Sequence, residues 1–211
     1  ILRVKGLFAK LGAYWALVKS LQTGLLVLTG VAGFVSARCP IADAGMFLTL
    51  VGSLFLAIGG ATVLNMVHDR DIDRIMSRTH HRPLPLHRVS VREARVLGLL
   101  MAGAGAGWAF TLTPTYGGVI TAGIVLNLVI YTYWLKRRTG WSFIWGGLAG
   151  GMPILAGRVF GTGQIDLIGV LLALTVLFWI PTHIVTFSIK YSDDYARAGV
   201  PVLPNTLGVR Q

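Results

Sequence analysis

The sequence predicts an all-α polytopic membrane protein, and three observations carry that expectation. The 211 residues are 54% hydrophobic and only 13% charged, with a mean hydropathy of +0.69, far from the composition of a soluble domain. Apolar stretches of about 20 residues recur, the length an α-helix needs to cross roughly 30 Å of hydrocarbon with its backbone hydrogen bonds satisfied internally. The basic residues, finally, sort to one side of those stretches.

Taken in order, residues 1–14 space their basic residues among Leu7, Phe8 and Leu11, which fits either an amphipathic segment on the membrane surface or a frayed basic tail. Six spans follow, at 15–37, 44–66, 94–113, 116–135, 141–160 and 166–189. Pro40 and Pro114 punctuate the first and second outer connections, and residues 161–166 form the third. Pro83 and Pro85 end helical structure after the second span and put Arg78 and Arg82 on a loop. Glycines are frequent inside the spans (Gly59 and Gly60, Gly98, Gly103, Gly105 and Gly107, Gly146 to Gly157), which predicts close helix packing.

With the N-terminus in the cytoplasm, Arg3, Lys5, Lys10 and Lys19, the seven arginines from Arg70 to Arg95, Lys136 to Arg138, and Lys190, Arg197 and Arg210 all fall inside. Only Arg38 and Arg158 fall outside. That asymmetry sets the orientation and accounts for the net charge of +11 without nucleic acid. A single cysteine, Cys39, excludes an internal disulfide and a cysteine-based zinc site. The first apolar stretch is too long for a signal peptide, and a chain opening on Ile1 is expected to lack an N-terminal piece.

The chemistry gathers at the inner ends of the second, fourth and sixth spans. In NMVHDRDIDRIMSRTHHRPLP, positions i, i+4 and i+8 drift only about 40° around a helix, so Asn65, Asp69 and Asp73 share one face, with Arg70 and Arg74 on a neighbouring stripe. Oxygen ligands beside arginines fit a magnesium diphosphate; an interfacial salt-bridge network is the competing reading. In YTYWLKRRTG, Tyr131 is placed to face an allylic cation and Lys136 and Arg137 to reach diphosphate, against the alternative of an interfacial aromatic belt. In FWIPTHIVTFSIKYSDDYARAGVPVLP, His183 is ionisable within a span, and Lys190 precedes Asp194 by one turn, giving either a second metal site with a phosphate contact or a simple ion pair. His80, His81 and His87 read as solvated loop residues, and the role of His68 stays open.

These segments, with GGLAGGMPILAG between the last two, resemble the intramembrane prenyltransferases of the UbiA type, and within them most closely the branch of haem O synthases, the protohaem IX farnesyltransferases. The likeness covers nearly the whole chain. It rests on the combination of DRDID, RTxxRPL, YxxWLKRxT and DYxxAGVPxLP. The resemblance implies a UbiA-like bundle of nine spans around a central cavity open to the cytoplasm, so residues 1–211 are expected to be one transmembrane prenyltransferase domain that stops after its sixth span. It implies Mg2+ held by Asn65, Asp69, Asp73 and Asp194, with Arg78, Arg82, Lys136 and Lys190 on the diphosphate and His183 on the haem side; Arg70 and Arg137 are further diphosphate candidates beside these. The implied reaction moves a farnesyl group from farnesyl diphosphate to haem B within the lipid of the cell membrane, where haem A synthase and terminal oxidase assembly are possible partners.

Some residues depart from the wider family. Met66 and Lys190 stand where relatives with aromatic substrates carry aspartates, Thr182 interrupts a double proline, His87 replaces a glycine, and KSLQT lacks the usual lysine-proline-arginine. The alternative acceptors are a quinone precursor, a chlorophyll or a lipid glycerol. A cation-coupled transporter or a membrane scaffold is more remote, because the acids lie at span ends and not at the midplane.

Overall fold

A computed structural model describes residues 2–37 and 43–208, and among these every regular element is a helix. Ile1, Arg38, Cys39, Pro40 and Arg210, and the side chains of Arg3, Lys5, Leu7 and Phe8, lie outside the described residues. The long helices are α1 (Leu2–Leu17), α2 (Ser20–Ala37), α3 (Ala44–His68), α5 (Val91–Leu112), α6 (Pro114–Val125, continued as a π-helix over Leu126–Leu135), α7 (Ser142–Thr162) and α8 (Leu167–Lys190). Three short ones, α4 (Arg70–Ile75), α9 (Ser192–Arg197) and α10 (Leu203–Leu207), lie at the charged end. Six helices are long and apolar enough to cross a membrane, from α2 to α8 with α6 and its π continuation as one.

The span expected over 15–37 is two elements. The chain turns at Lys19, whose φ of 48° is left-handed, and Trp15 to Leu17 belong to α1. A hydropathy run cannot register that turn, because apolar residues occupy both sides of it. Ala13, Leu17 and Val18 are buried against Val63, Met66, Leu84, Val89 and Ala94, while Leu11 and Trp15 are 53% and 59% exposed.

Helix starts follow local chemistry. Ser90 and Glu93 form a reciprocal capping box before α5, Thr113 accepts from the Tyr116 amide at 3.2 Å with Pro114 in the first turn of α6, and Asp166 accepts from the Gly169 amide at 2.8 Å to open α8. Glycine sets the packing distances. A Cβ on Gly157 would lie 1.7 Å from the Gly30 carbonyl oxygen, and one on Gly33 2.0 Å from that of Ile154, so α2 and α7 touch backbone to backbone. Gly60 and Gly105 do the same between α3 and α5, whereas Gly103 and Gly107 have nothing near them.

Arg158 is 8% exposed and joins three helices away from the charged end. It pairs with Asp166 at 2.6 Å and donates to the Ser36 carbonyl at 2.6 Å. Gly157→Ala is expected to cost about 1–3 kcal/mol through overpacking, lowering the thermal midpoint of the detergent-solubilised protein, while Gly103→Ala leaves it unchanged or raises it.

Candidate active site

At the charged end α3 stops at His68, and Asp69, with φ −85° and ψ 3°, joins it to α4. The backbone ladder runs through this joint: the Asp69 amide donates to Asn65 at 3.0 Å and the Asp73 amide to Asp69 at 2.8 Å. Asn65, Asp69 and Asp73 therefore keep one register, and all three line a polar chamber of about 320 Å³. Both carboxylates are only 3% exposed.

Their partners arrive from distant segments. Arg82, on the loop after α4, donates from Nη1 to both oxygens of Asp73 at 2.8 Å. Lys136, just past the π-helix, donates to Oδ2 of Asp69, whose Oδ1 is buried with no hydrogen-bond partner. The Asn65 amide nitrogen donates to the Thr132 hydroxyl at 2.8 Å, which in turn donates to the Asn127 carbonyl at 2.7 Å. That relay fixes the Asn65 amide and leaves its oxygen for a ligand.

The π-helix makes the relay possible. Its wider turn pairs residues five apart, as in the bond from the Lys136 amide to the Tyr131 carbonyl at 2.8 Å, and it brings Asn127, Tyr131 and Lys136 to one wall. Beyond that wall lies a second, largely apolar chamber of about 900 Å³, lined by side chains such as Leu54, Ile58, Ile124 and Trp179. Gln22, Thr62, Asn127, Tyr131, Phe143 and His183 border both chambers, so the polar one opens into the apolar one around Tyr131 and His183.

The remaining sequence candidates divide. Arg78 lines the polar chamber with its guanidinium 5.0 Å from the Phe187 ring centroid. Arg137 and Arg70 do not line it. Arg137 holds both oxygens of Asp71 at 2.7 Å and the His68 carbonyl at 2.9 Å, and its hydrogen bonds keep the Asp71 carboxyl below the usual carboxylate range. His68 packs edge-on against Tyr133, with ring centroids 4.4 Å apart.

Asp194 does not join the first trio. It is buried outside the chamber wall, accepts from Ser77 at 2.5 Å and pairs with Arg197, and the Ser77 bond leads in holding its carboxyl below the ordinary range. The expected one-turn relation with Lys190 fails because α8 ends at Tyr191 and α9 starts anew at Ser192. Lys190 instead places its ammonium 5.5 Å from the Tyr191 ring. Among the described residues no three histidine, cysteine or acidic side chains group as metal ligands by themselves. The oxygens of Asn65, Asp69 and Asp73 nonetheless fit magnesium, which takes one or two carboxylates and completes its shell with water and phosphate oxygens, and the unpartnered Asp69 Oδ1 is the atom such an ion would use.

Sequence reasoning missed Thr132, Asn127, Gln22 and Lys19. Only Lys19 had a signal, in the departure at KSLQT. It lines the polar chamber from its left-handed turn, and burial, then the neighbouring Arg82 and Lys136, push its ammonium down to about 7.

A membrane bundle with a charged chamber opening into an apolar one defines the class: the chain belongs to the UbiA prenyltransferase family, which matches residues 25–211. It is 41% identical over 202 residues to the protoheme IX farnesyltransferase of Korarchaeum cryptofilum, covering 96% of this chain and 68% of that one. To the protoheme IX farnesyltransferase of Thermofilum pendens it is 43% identical over 196 residues, covering 92% and 68%. The fold matches that of a UbiA homologue from Archaeoglobus fulgidus bound to DMAPP and Mg2+, with a TM-score of 0.78 at 18% identity, over 92% of this chain and 69% of that one.

A lysine whose pKa falls on folding binds its proton more weakly in the folded state, so stability should rise with pH from about 7 toward the unfolded value of 10.5. The thermal midpoint of the solubilised protein is expected to climb between pH 7.5 and 10, and Lys19→Met to flatten that rise while raising the midpoint at pH 7.5.

Proposed function

We propose that the protein transfers the farnesyl group of farnesyl diphosphate to a vinyl group of haem B, giving haem O. The observation that carries this reading is the opening at Tyr131, where a chamber walled by buried acids and cations meets an apolar chamber of about 900 Å³. An ionic head and a hydrocarbon tail match those two volumes. The identity of about 40% to relatives named protoheme IX farnesyltransferases supports the choice of donor and acceptor.

The diphosphate lodges among Arg78, Arg82, Lys136 and Lys19, and the prenyl tail runs into the apolar chamber. Magnesium, held when bound by Asn65, Asp69 and Asp73, would supply positive charge that stabilises the departing diphosphate. The C1–O bond breaks with its electron pair leaving on the diphosphate, and the resulting allylic cation faces the Tyr131 ring, in apolar walls that exclude water. The vinyl carbon then bonds to C1. Water captures the cation left on the haem side and loses a proton, leaving a hydroxyl. Asp194 acts at one remove, by holding Ser77 beside Arg78. The one-sided distribution of basic residues puts the charged mouth and the N-terminus at the cytoplasmic face of the cell membrane.

Solubilised protein given farnesyl diphosphate, Mg2+ and haem B is expected to yield haem O by mass spectrometry, and a chelator to abolish the product. Asp69→Asn should lower kcat by about 10²–10³. Prenylation of an aromatic acid, with haem B left untouched, would overturn the reading.

A further inference from the structure

Four rings stand in i, i+4 succession along α8 and its C-cap: Trp179, His183, Phe187 and Tyr191. Trp179 and His183 stack with centroids 5.1 Å apart and planes 8° from parallel; His183 and Phe187 follow at 6.0 Å, then Phe187 and Tyr191 at 4.8 Å. Trp179 and His183 border the apolar chamber while His183 and Phe187 border the polar one. The stripe thus crosses the opening between the two volumes. At its charged end Arg78 lies 5.0 Å from the Phe187 ring and 5.7 Å from that of Tyr191, and the Lys190 ammonium lies 5.5 Å from Tyr191. Neither cation makes an ion pair among the described residues, and Nε of Arg78 is buried without a partner.

We infer that this stripe is the seat of the acceptor: a large planar macrocycle lies along the four rings, and the carboxylates of its polar edge meet Arg78 and Lys190. The inference rests on the proposed function; it gives Lys190 to the acceptor and not to the diphosphate, and has Arg78 bridge the two ligands from its place between the polar chamber and the Phe187 and Tyr191 rings. Aromatic rings favour offset and edge-to-face contact with another π-system, and two cations at one end of an apolar track impose a direction on a ligand that is acidic at one edge only. Protohaem IX has that asymmetry, with its propionates on one side of the macrocycle and its vinyl groups toward the other. With the propionates at Arg78 and Lys190, the vinyl edge reaches the level of His183, where the chambers meet and Tyr131 faces the reacting carbon. The twelve steps from Trp179 to Tyr191 rise about 18 Å, enough to underlie the whole macrocycle.

The test measures equilibrium binding of haem B to the solubilised chain by its Soret band, in parallel with binding of farnesyl thiodiphosphate and Mg2+. Phe187→Leu and Tyr191→Leu are expected to weaken haem binding about tenfold each, with Phe187→Tyr and Tyr191→Phe restoring it, while the affinity for the thiodiphosphate stays within about twofold. Lys190→Gln should weaken binding of haem B but not of its dimethyl ester, in which the propionates are uncharged. Leucine variants that bind haem B as the parent does, in a protein that still makes haem O, would overturn the stripe and leave the proposed reaction standing. A parent protein that binds the thiodiphosphate yet neither binds haem B nor prenylates it would overturn both.

Discussion

Two carboxylates buried at the end of an apolar bundle dictate how the charged end is built. An unpaired ion at Asp69 or Asp73, each 3% exposed, would cost several kcal/mol, so each needs a cation held against it. Neither cation is local. Lys136 lies 67 residues from Asp69, which requires the end of α6 to run beside the end of α3, and Arg82 must bring the loop after α4 back over the chamber to reach Asp73. Apolar contacts along the spans hold the helices together, but they do not dictate where the polar segments close. The same pairs suit the proposed reaction: an incoming magnesium diphosphate offers a cation to the acids and an anion to Lys136 and Arg82, so charge is exchanged within the chamber and not stripped of its partners.

Departures from regular backbone concentrate where that exchange takes place. The joint at Asp69, the π-helix at Leu126–Leu135, the left-handed Lys19 and the end of α8 at Tyr191 all surround the polar chamber. Among the described residues the opposite end is regular, tied by Arg158 and closed by an ordinary glycine stop at Gly163. A straight helix spends its carbonyls internally. The Asn127 carbonyl, by contrast, receives the Thr132 hydroxyl and so orients Asn65, and a polar group of that kind is tolerable at membrane depth only where it lines a cavity.

The spans and the first motif were legible because both depend on short-range periodicity. Asn65, Asp69 and Asp73 keep their shared face even across the joint at Asp69, since the i→i−4 bonds persist through it. His87 carried a signal of its own: standing where the resembled family has glycine, it takes φ 55°. Lys190 and Asp194 show the limit of the same argument, because helical spacing holds only within one helix and theirs breaks at Tyr191. The π-helix was invisible, as an apolar run from 116 to 135 reads alike at four or five residues per turn. The turn at Lys19 was invisible too, since tertiary burial of Leu17 and Val18 stabilises it, with no glycine or proline to mark it.

The two substrates were unequally legible for a physical reason. A diphosphate is recognised by charge, and charge is scarce in this chain, so every acid or arginine near a span end stands out against an apolar background. A flat apolar acceptor is recognised by rings, and rings inside a span are compositionally ordinary. Trp179 and Phe187 sit in a mostly apolar helix that Tyr191 caps, and the same residue types make up the interfacial belts of any membrane protein. Only three-dimensional placement separates a belt from a binding track: a belt runs around the bundle from helix to helix, whereas these rings follow one another along a single helix, from an apolar chamber to a cationic mouth. The direction of that line, and not its composition, is what ties it to the chemistry at Tyr131.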